Sequence, residues 1–215
     1  MKKAETSKPS WAEVTAVITT AVLHFLSKAV GLHGFFIVAA VLFWIVFILW
    51  RAKRQPGVLS EWGFRADNLL QTFLITATVS LPGIIAMAYF GSLHGTFILP
   101  PHLCILLILY PIWGIIQQFL IQGLVVRNLS LTPFGSHPIF LVLLGATLFG
   151  LVHTPNILLM LATFCLGLLF VPLYLRLHNL WPLGLFHGWL GSLFYLWVLG
   201  HDPWQDLLTT LGFTT

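Results

Sequence analysis

The chain is dominated by apolar stretches that are long enough to cross a lipid bilayer. A spanning helix takes about 20 residues, and only helices and closed barrels satisfy their backbone hydrogen bonds in lipid. The sequence therefore predicts an all-α, polytopic transmembrane bundle of about seven spans, or six to eight if the overlong fourth stretch divides. The predicted spans are residues 14–30, 34–50, 69–90, 97–126, 138–153, 157–175 and 182–199.

Composition agrees with a membrane protein and excludes several other classes. Hydrophobic residues make up 58% of the chain and charged residues only 7%, whereas soluble domains carry about 25% charged residues. The 215 residues leave no room for a second, soluble domain, so we interpret residues 1–215 as a single integral-membrane domain in contact with the lipid bilayer. On so apolar a chain a net charge of +4 reports orientation, and no nucleic-acid partner is expected.

Basic residues predict how the chain is oriented. If the N-terminus is inside, only Lys28 of the ten lysines and arginines lies outside. The segment from residue 200 contains Asp202 and Asp206 but no lysine or arginine. The positive-inside rule therefore predicts a cytoplasmic N-terminus and an outside C-terminus. The basic residues predicted to lie inside are Lys2, Lys3, Lys8, Arg51, Lys53, Arg54, Arg65, Arg127 and Arg176.

Three glutamines interrupt the fourth apolar stretch, which reads WGIIQQFLIQGLVVR at 113–127. An amide inside the bilayer needs hydrogen-bond partners, so Gln117, Gln118 and Gln122 are expected to face protein or a wet cavity. In a regular helix Gln118 and Gln122 share a face, with Gln117 about 100° away. A single glutamine often only joins transmembrane helices, but three within six residues favour a polar site.

Two histidines are also predicted to lie inside spans. His153 belongs to FGLVHTPN at 149–156, where Pro155 prevents the helix from continuing straight, and His187 belongs to FHGWLGS at 186–192. Ionisable residues inside a membrane are costly, and function is the default hypothesis for them. The remaining histidines lie at predicted span ends, in loops or on a face of the first span, where we expect structural roles. These are His24, His33, His94, His102, His137, His178 and His201.

The order of these clusters resembles the CAAX protease and bacteriocin-processing family of intramembrane endopeptidases, relatives of the type II CAAX prenyl endopeptidases. That family has EExxFRG, FxxxH and HxxxN motifs on successive helices. Here WGFR at 62–65, QQFLIQG at 117–123, FGLVHTPN at 149–156 and the stretch at 167–191 follow in the same order. The resemblance covers about residues 62–193 and implies a family-like core there. It also implies a bacterial-type cell membrane and C-terminal processing of membrane or lipidated proteins.

The resemblance implies the site positions, and several of them carry changed side chains. In the family, the first glutamate activates a water, two histidines and an asparagine complete the site, and the arginine supports the motif. Glutamine replaces both glutamates and the arginine here, and glycine replaces the asparagine. The implied active-site positions are Gln117, Gln118, Gln122, His153 and His187, with Phe149, Asn156 and Gly191 as binding neighbours. A glutamine amide has no usable basicity near neutral pH, and general-base catalysis typically contributes about 10²–10⁴-fold.

Three functions remain open at this point. We favour a noncatalytic relative whose cleft binds the peptide tail or a transmembrane segment of a partner, as a chaperone or immunity protein would. The second is an endopeptidase that uses His153 and His187 with a water or a metal. A catalytic zinc normally has three protein ligands, so we expect no cofactor, and any zinc would rest on these two histidines. The third is a small transporter, which neither an intramembrane acid nor an inverted repeat supports.

Overall fold

The structure, a computed structural model, describes residues 8–210, and helices are the only regular elements in that range. The all-α prediction is confirmed. Lys2, Lys3 and the end of the C-terminal tail lie outside the described residues. The helices are α1 (Trp11–Ala29), α2 (His33–Arg54), α3 (Val58–Trp62), α4 (Leu69–His94), α5 (Leu103–Gln118), α6 (Arg127–Ser130), α7 (Pro138–Leu151), α8 (Ile157–Leu177), α9 (Leu180–Trp197) and α10 (Pro203–Thr210), with a π-helix at Phe119–Val126 and a 3-10 turn at Pro133–Ser136.

Each of the seven predicted spans corresponds to a helical segment of the structure. Among residues 8–210, four segments are long and apolar enough to cross a bilayer, namely His33–Arg54, Leu69–His94, Leu103–Ser130 and Ile157–Leu177. The helices of the other three predicted spans, α1, α7 and α9, have 19, 14 and 18 residues. Apolar helices must bury their surface in lipid or against other helices. The chain is an integral membrane protein.

Polar contacts hold together one end of the bundle, which we call the first end. The backbone nitrogen of Ser10 donates to Asn128 Oδ1 over 2.6 Å, and Asn68 Nδ2 donates to the carbonyl of Leu177 over 2.7 Å. Asn179 Nδ2 also donates to Asn68 Oδ1 over 2.7 Å. The beginnings of α1, α4 and α9 therefore lie together with the ends of α6 and α8.

A separate set of contacts joins helix ends at the opposite, second end. Lys28 Nζ donates to the carbonyl of Thr154 over 3.1 Å. Thr96 Oγ1 donates to the carbonyl of Trp197 over 2.6 Å. The helix order and these contacts place the start of α1 and the end of α9 at opposite ends of the bundle. This arrangement agrees with a bundle of about seven spans.

Glycines bring α5 and α9 into backbone contact. A Cβ atom added at Gly188 would lie 2.5 Å from Pro111 Cα, and one added at Gly184 would lie 2.5 Å from Ile115 Cα. Small residues four apart permit this close approach of two transmembrane helices. His187, which precedes Gly188, is thereby held against the end of α5, where the glutamines begin.

His178 connects α8 to α9 outside the spans and links both to α3. Its φ of 52° is left-handed, and its Nε2 lies 2.9 Å from the carbonyl of Glu61, to which it donates. Burial lowers the pKa of His178 below its ordinary value of 6.5. The folded protein therefore binds a proton here less readily than the unfolded chain does. This contribution to stability is present above pH 6.5 and is lost as the pH falls through the folded pKa.

We expect His178→Asn to weaken the pH dependence of stability. Asparagine tolerates the left-handed conformation and does not titrate, so acidification from about pH 8 to about pH 5 should lower the thermal midpoint less than in the wild type. Thermal unfolding of both proteins in one detergent at the two pH values measures the difference. His137→Asn, at an exposed position, is the control and should retain the wild-type dependence. Equal drops in all three proteins would contradict a role for His178.

Candidate functional site

The glutamine segment begins at the end of α5 and continues as a π-helix. The π-helix covers the eight residues Phe119–Val126, all of them buried. Such i→i+5 stretches are rare and occur frequently at functional sites. The regular α-helix expected from the sequence therefore ends at Gln118, although Gln118 and Gln122 still meet as expected.

A chain of side-chain hydrogen bonds joins both of these glutamines to His187. Gln122 Nε2 donates to Gln118 Oε1, and Gln118 Nε2 lies 3.3 Å from His187 Nδ1. An amide has both a donor and an acceptor end, so either tautomer of a neutral imidazole finds a partner in Gln118. The two glutamines are each 1% exposed and His187 is 5% exposed. Three of the predicted site positions thus form one buried, uncharged network.

Phe149 lies against both of the predicted histidines. Its ring centroid is 4.8 Å from that of His187 and 5.5 Å from that of His153, edge to face in each case. His153 Nδ1 lies 2.8 Å from the carbonyl of Phe149. A carbonyl only accepts, so Nδ1 donates and His153 Nε2 is left as an acceptor. The FxxxH spacing therefore supplies both the ring and the carbonyl that orient His153.

The short length of α7 helps to bring His153 close to Phe149 and His187. Its 14 residues extend about 21 Å at 1.5 Å per residue, less than the roughly 30 Å thickness of the hydrocarbon core. The turn that follows α7 therefore carries His153 back toward Phe149 and His187 instead of to a distant surface.

A cavity of about 1240 Å³ lies beside this network. Gln117, His153 and His187 line it, together with mostly apolar side chains of α1, α2, α4, α5, α8 and α9. Gln118 and Gln122 are buried outside the lining, so of the three glutamines only Gln117 reaches the cavity. The glutamines thus divide between the two surroundings that the sequence predicts, since Gln117 faces the cavity and the other two face protein.

The three remaining predicted positions also border the cavity. Phe149 separates the two histidines, as described above. Asn156 caps α8, where its Oδ1 accepts from the backbone nitrogen of Leu159 over 3.0 Å. Gly191 follows His187 by one turn, and a Cβ atom there would make an ordinary 3.4 Å contact with Tyr110. A binding role for these positions stays a prediction.

The sequence missed three basic side chains that line the same cavity, namely His24, Lys28 and His33. The rings of His24 and His33 have centroids 4.8 Å apart. Lys28 bonds to Thr154, next to His153. Their positions in α1 and at the start of α2 suggested structural roles. The one available signal was Lys28, the single basic residue that disagrees with the predicted orientation.

The lining offers little support for a bound metal. Between residues 8 and 210, no group of three or more His, Cys, Asp or Glu side chains could hold a metal ion. His153 and His187 each use Nδ1 within the protein, which leaves at most their two Nε2 atoms as imidazole ligands. The expectation of no cofactor stays a prediction, as does the weaker possibility of zinc at these two histidines.

The central segment of the chain matches a known protein family. The family model described as "Type II CAAX prenyl endopeptidase Rce1-like" matches residues 99–193. Residues 99–193 are Rce1-like. The Rce1-like segment contains α5, α7, α8 and most of α9, and with them every predicted site position from Gln117 to Gly191. The match confirms the predicted resemblance over this range and is consistent with the CAAX protease and bacteriocin-processing family.

Other comparisons add no further relative. No curated protein and no solved structure matches the chain. The family model and the geometry of the site therefore carry the functional argument.

Proposed function

We propose that this Rce1-like membrane protein binds the tail or a transmembrane segment of a membrane or lipidated protein in its cavity and does not cleave it. One observation carries the proposal, namely the contact between the amide nitrogen of Gln118 and Nδ1 of His187. A carboxylate at position 118 would accept a proton from Nδ1 and leave Nε2 of His187 as a base. An amide at this position carries no negative charge to stabilise the imidazolium that forms when His187 takes a proton from water, so His187 is a weaker base than it would be beside a carboxylate.

Gln117 supports the same conclusion from inside the cavity. It stands where the resemblance implies the glutamate that activates water, and it lines the cavity beside His153 and His187. Its amide is able to orient a water or a peptide group but has no basicity near neutral pH. The loss of the general base lowers the expected rate by about 10²–10⁴-fold. The site thus retains groups for recognition and lacks the one for catalysis.

The cavity favours a ligand with a long apolar part and a polar end. Its volume of about 1240 Å³ exceeds the roughly 300–1,000 Å³ of typical small-molecule pockets. Apolar side chains make up most of its wall, and Gln117, His153, His187 and Lys28 supply polar groups. The description of the matching family names prenyl endopeptidases, and a prenylated peptide tail has this division of properties. The bundle would act on such a tail as a chaperone or immunity protein.

The state of His153 favours an endopeptidase as the second candidate. Because Nδ1 donates to the carbonyl of Phe149, Nε2 holds a lone pair in a residue that lines the cavity. In this alternative His153 removes a proton from a water that Gln117 orients, and His187 donates to the peptide carbonyl. Residual cleavage by the wild-type protein would favour the endopeptidase. Cleavage that is restored only when glutamates replace the glutamines would favour the noncatalytic relative.

We also infer that the first end of the bundle, where Ser10 lies, faces the cytoplasm of a bacterial-type cell. Within residues 8–210, all lysines and arginines except Lys28 belong to segments at that end. The positive-inside rule then places the N-terminus inside and the segment from residue 200 outside.

Photocrosslinking tests whether the cavity binds such a tail. A photoreactive amino acid at position 117 should crosslink to a farnesylated peptide that has a free carboxyl terminus, because Gln117 lines the cavity. The matched control is position 108 on the same helix, where Ile108 is 70% exposed, and it should label weakly. An excess of peptide without label should abolish the signal at 117. Equal labelling at the two positions, or labelling that resists competition, would contradict the proposal.

A further inference from the structure

A second, smaller cavity lies at the first end of the bundle, away from the site described above. Its volume is about 240 Å³. It lies where α1 begins, α2 ends and α6 begins, and α3 closes one side. These helix ends belong at the membrane interface. Its lining includes Lys8, Ser10, Arg51, Trp62 and Arg127.

The charges of the lining do not balance. Glu13 and Glu61 are its two carboxylates, against the three cations Lys8, Arg51 and Arg127. Both carboxylates already have partners, because Arg51 Nη2 lies 3.4 Å from Glu13 Oε1 and Arg127 Nη2 lies 2.6 Å from Glu61 Oε2. One positive charge is therefore in excess around this cavity.

Two donors of the lining are also buried without an acceptor among the described residues. They are Nε of Arg51 and Nε1 of Trp62. Trp62 is fully buried, and the Arg51 guanidinium carbon lies 5.9 Å from its ring centroid, so both donors belong to one region of the wall. Neither group is able to accept a hydrogen bond. Because buried N–H groups are nearly always paired, the missing partner is an acceptor.

We propose that this cavity binds a phosphate group that carries one negative charge. Such a group supplies acceptor oxygens to Arg51 Nε and Trp62 Nε1 and offsets the excess positive charge. Its position at the helix ends suits the phosphodiester of a phospholipid headgroup, and inorganic phosphate has the same chemistry. A water would pair the donors but leave the charge unbalanced. The inference is independent of the function proposed for the larger cavity.

Two variants of the full-length protein in detergent test the two donors. Trp62→Phe deletes the indole N–H and retains an aromatic ring. Arg51→Lys replaces the guanidinium group, Nε included, and retains the positive charge. Retention of phosphatidylglycerol is measured by native mass spectrometry against diacylglycerol with the same acyl chains, and inorganic phosphate is titrated by calorimetry. Each variant should weaken binding about tenfold or more, since a hydrogen bond to a charged group is lost.

The control is Trp44→Phe, because Trp44 Nε1 is also buried without a partner while the residue lies outside this cavity. It should bind as the wild type does. If the preference for phosphatidylglycerol falls in both donor variants, the phosphate group in the cavity belongs to the lipid. Phosphate binding with the same dependence, and no lipid preference, identifies free phosphate. The proposal is overturned if neither ligand binds the wild type or if Trp44→Phe weakens binding as much as the folded donor variants do.

Discussion

Gly188→Ala should destabilise the helix bundle by about 1–3 kcal/mol through overpacking. The new Cβ atom would lie 2.5 Å from Pro111 Cα and 2.8 Å from the carbonyl carbon of Tyr110. These are backbone atoms, so the contact is relieved only if α9 moves away from α5. Alanine otherwise favours a helix over glycine by roughly 1 kcal/mol, and the clash must exceed that gain. Movement of α9 would also separate His187 from Gln118.

Glycines of α4 and α9 provide comparisons for this prediction. Gly83→Ala and Gly191→Ala place the Cβ atom at 3.6 Å and 3.4 Å from a side chain, so they should be neutral or slightly stabilising. Gly184→Ala, with 2.5 Å to Ile115 Cα, should resemble Gly188→Ala. Thermal unfolding in a single detergent compares the four variants. A Gly188→Ala protein as stable as Gly83→Ala would refute the close packing of α5 and α9.

Gln122→Arg alone should destabilise the protein by on the order of 3–5 kcal/mol. Position 122 is 1% exposed, so the change buries a cation with no carboxylate opposite, and an unpaired buried charge costs about that much. Adding Gln118→Glu should recover most of the loss. Gln122 Nε2 already donates to Gln118 Oε1, so the two new side chains form an ion pair in the space of the present amides.

A double-mutant cycle measures the interaction between positions 118 and 122. It compares the free energies of unfolding of the wild type, both single variants and the double variant. We expect a favourable coupling between positions 118 and 122. Gln117→Glu combined with Gln122→Arg is the control, because Gln117 lines the large cavity and is not bonded to Gln122. Additive effects at 118 and 122 would mean that the two side chains do not meet as the structure places them.

The helical architecture was predictable because the runs of apolar residues determine it. The predicted spans at 69–90 and 157–175 correspond closely to Leu69–His94 and Ile157–Leu177, since a run of apolar residues both partitions into lipid and satisfies its backbone as a helix. The predicted span at 97–126 starts later in the structure, because α5 begins at Leu103. Pro111 lies inside α5, at the point where Gly188 approaches its backbone.

The π-helix at Phe119–Val126 was not predictable from local sequence. Apart from Gln122 its residues are apolar and suit an ordinary transmembrane helix. The i→i+5 pattern depends on tertiary packing, because α1, α3, α7, α8 and α9 all contact this segment. No single-residue propensity carries that information.

The sequence predicted which residues belong to the core of the site better than it predicted how they contact one another. Motif order brought together Gln118, His153 and His187. In the structure Gln118 contacts His187, and Phe149 lies between the two histidines. The contact between Gln118 and His187 required coordinates. His24 and His33 were missed because α1 and α2 precede the residues that carry the resemblance, and their approach to the cavity is a result of packing alone.

The most direct test of the claim that the site binds a tail peptide without cleaving it is to measure whether the bound peptide stays intact. Wild-type protein is incubated with a farnesylated tail peptide, and the peptide is analysed by mass spectrometry. We predict that it is recovered intact. The variant carrying Gln117→Glu, Gln118→Glu, Gln122→Arg and Gly191→Asn should cleave it at least about 10²-fold faster. Cleavage by the wild type that disappears in both His153→Ala and His187→Ala would contradict the proposal.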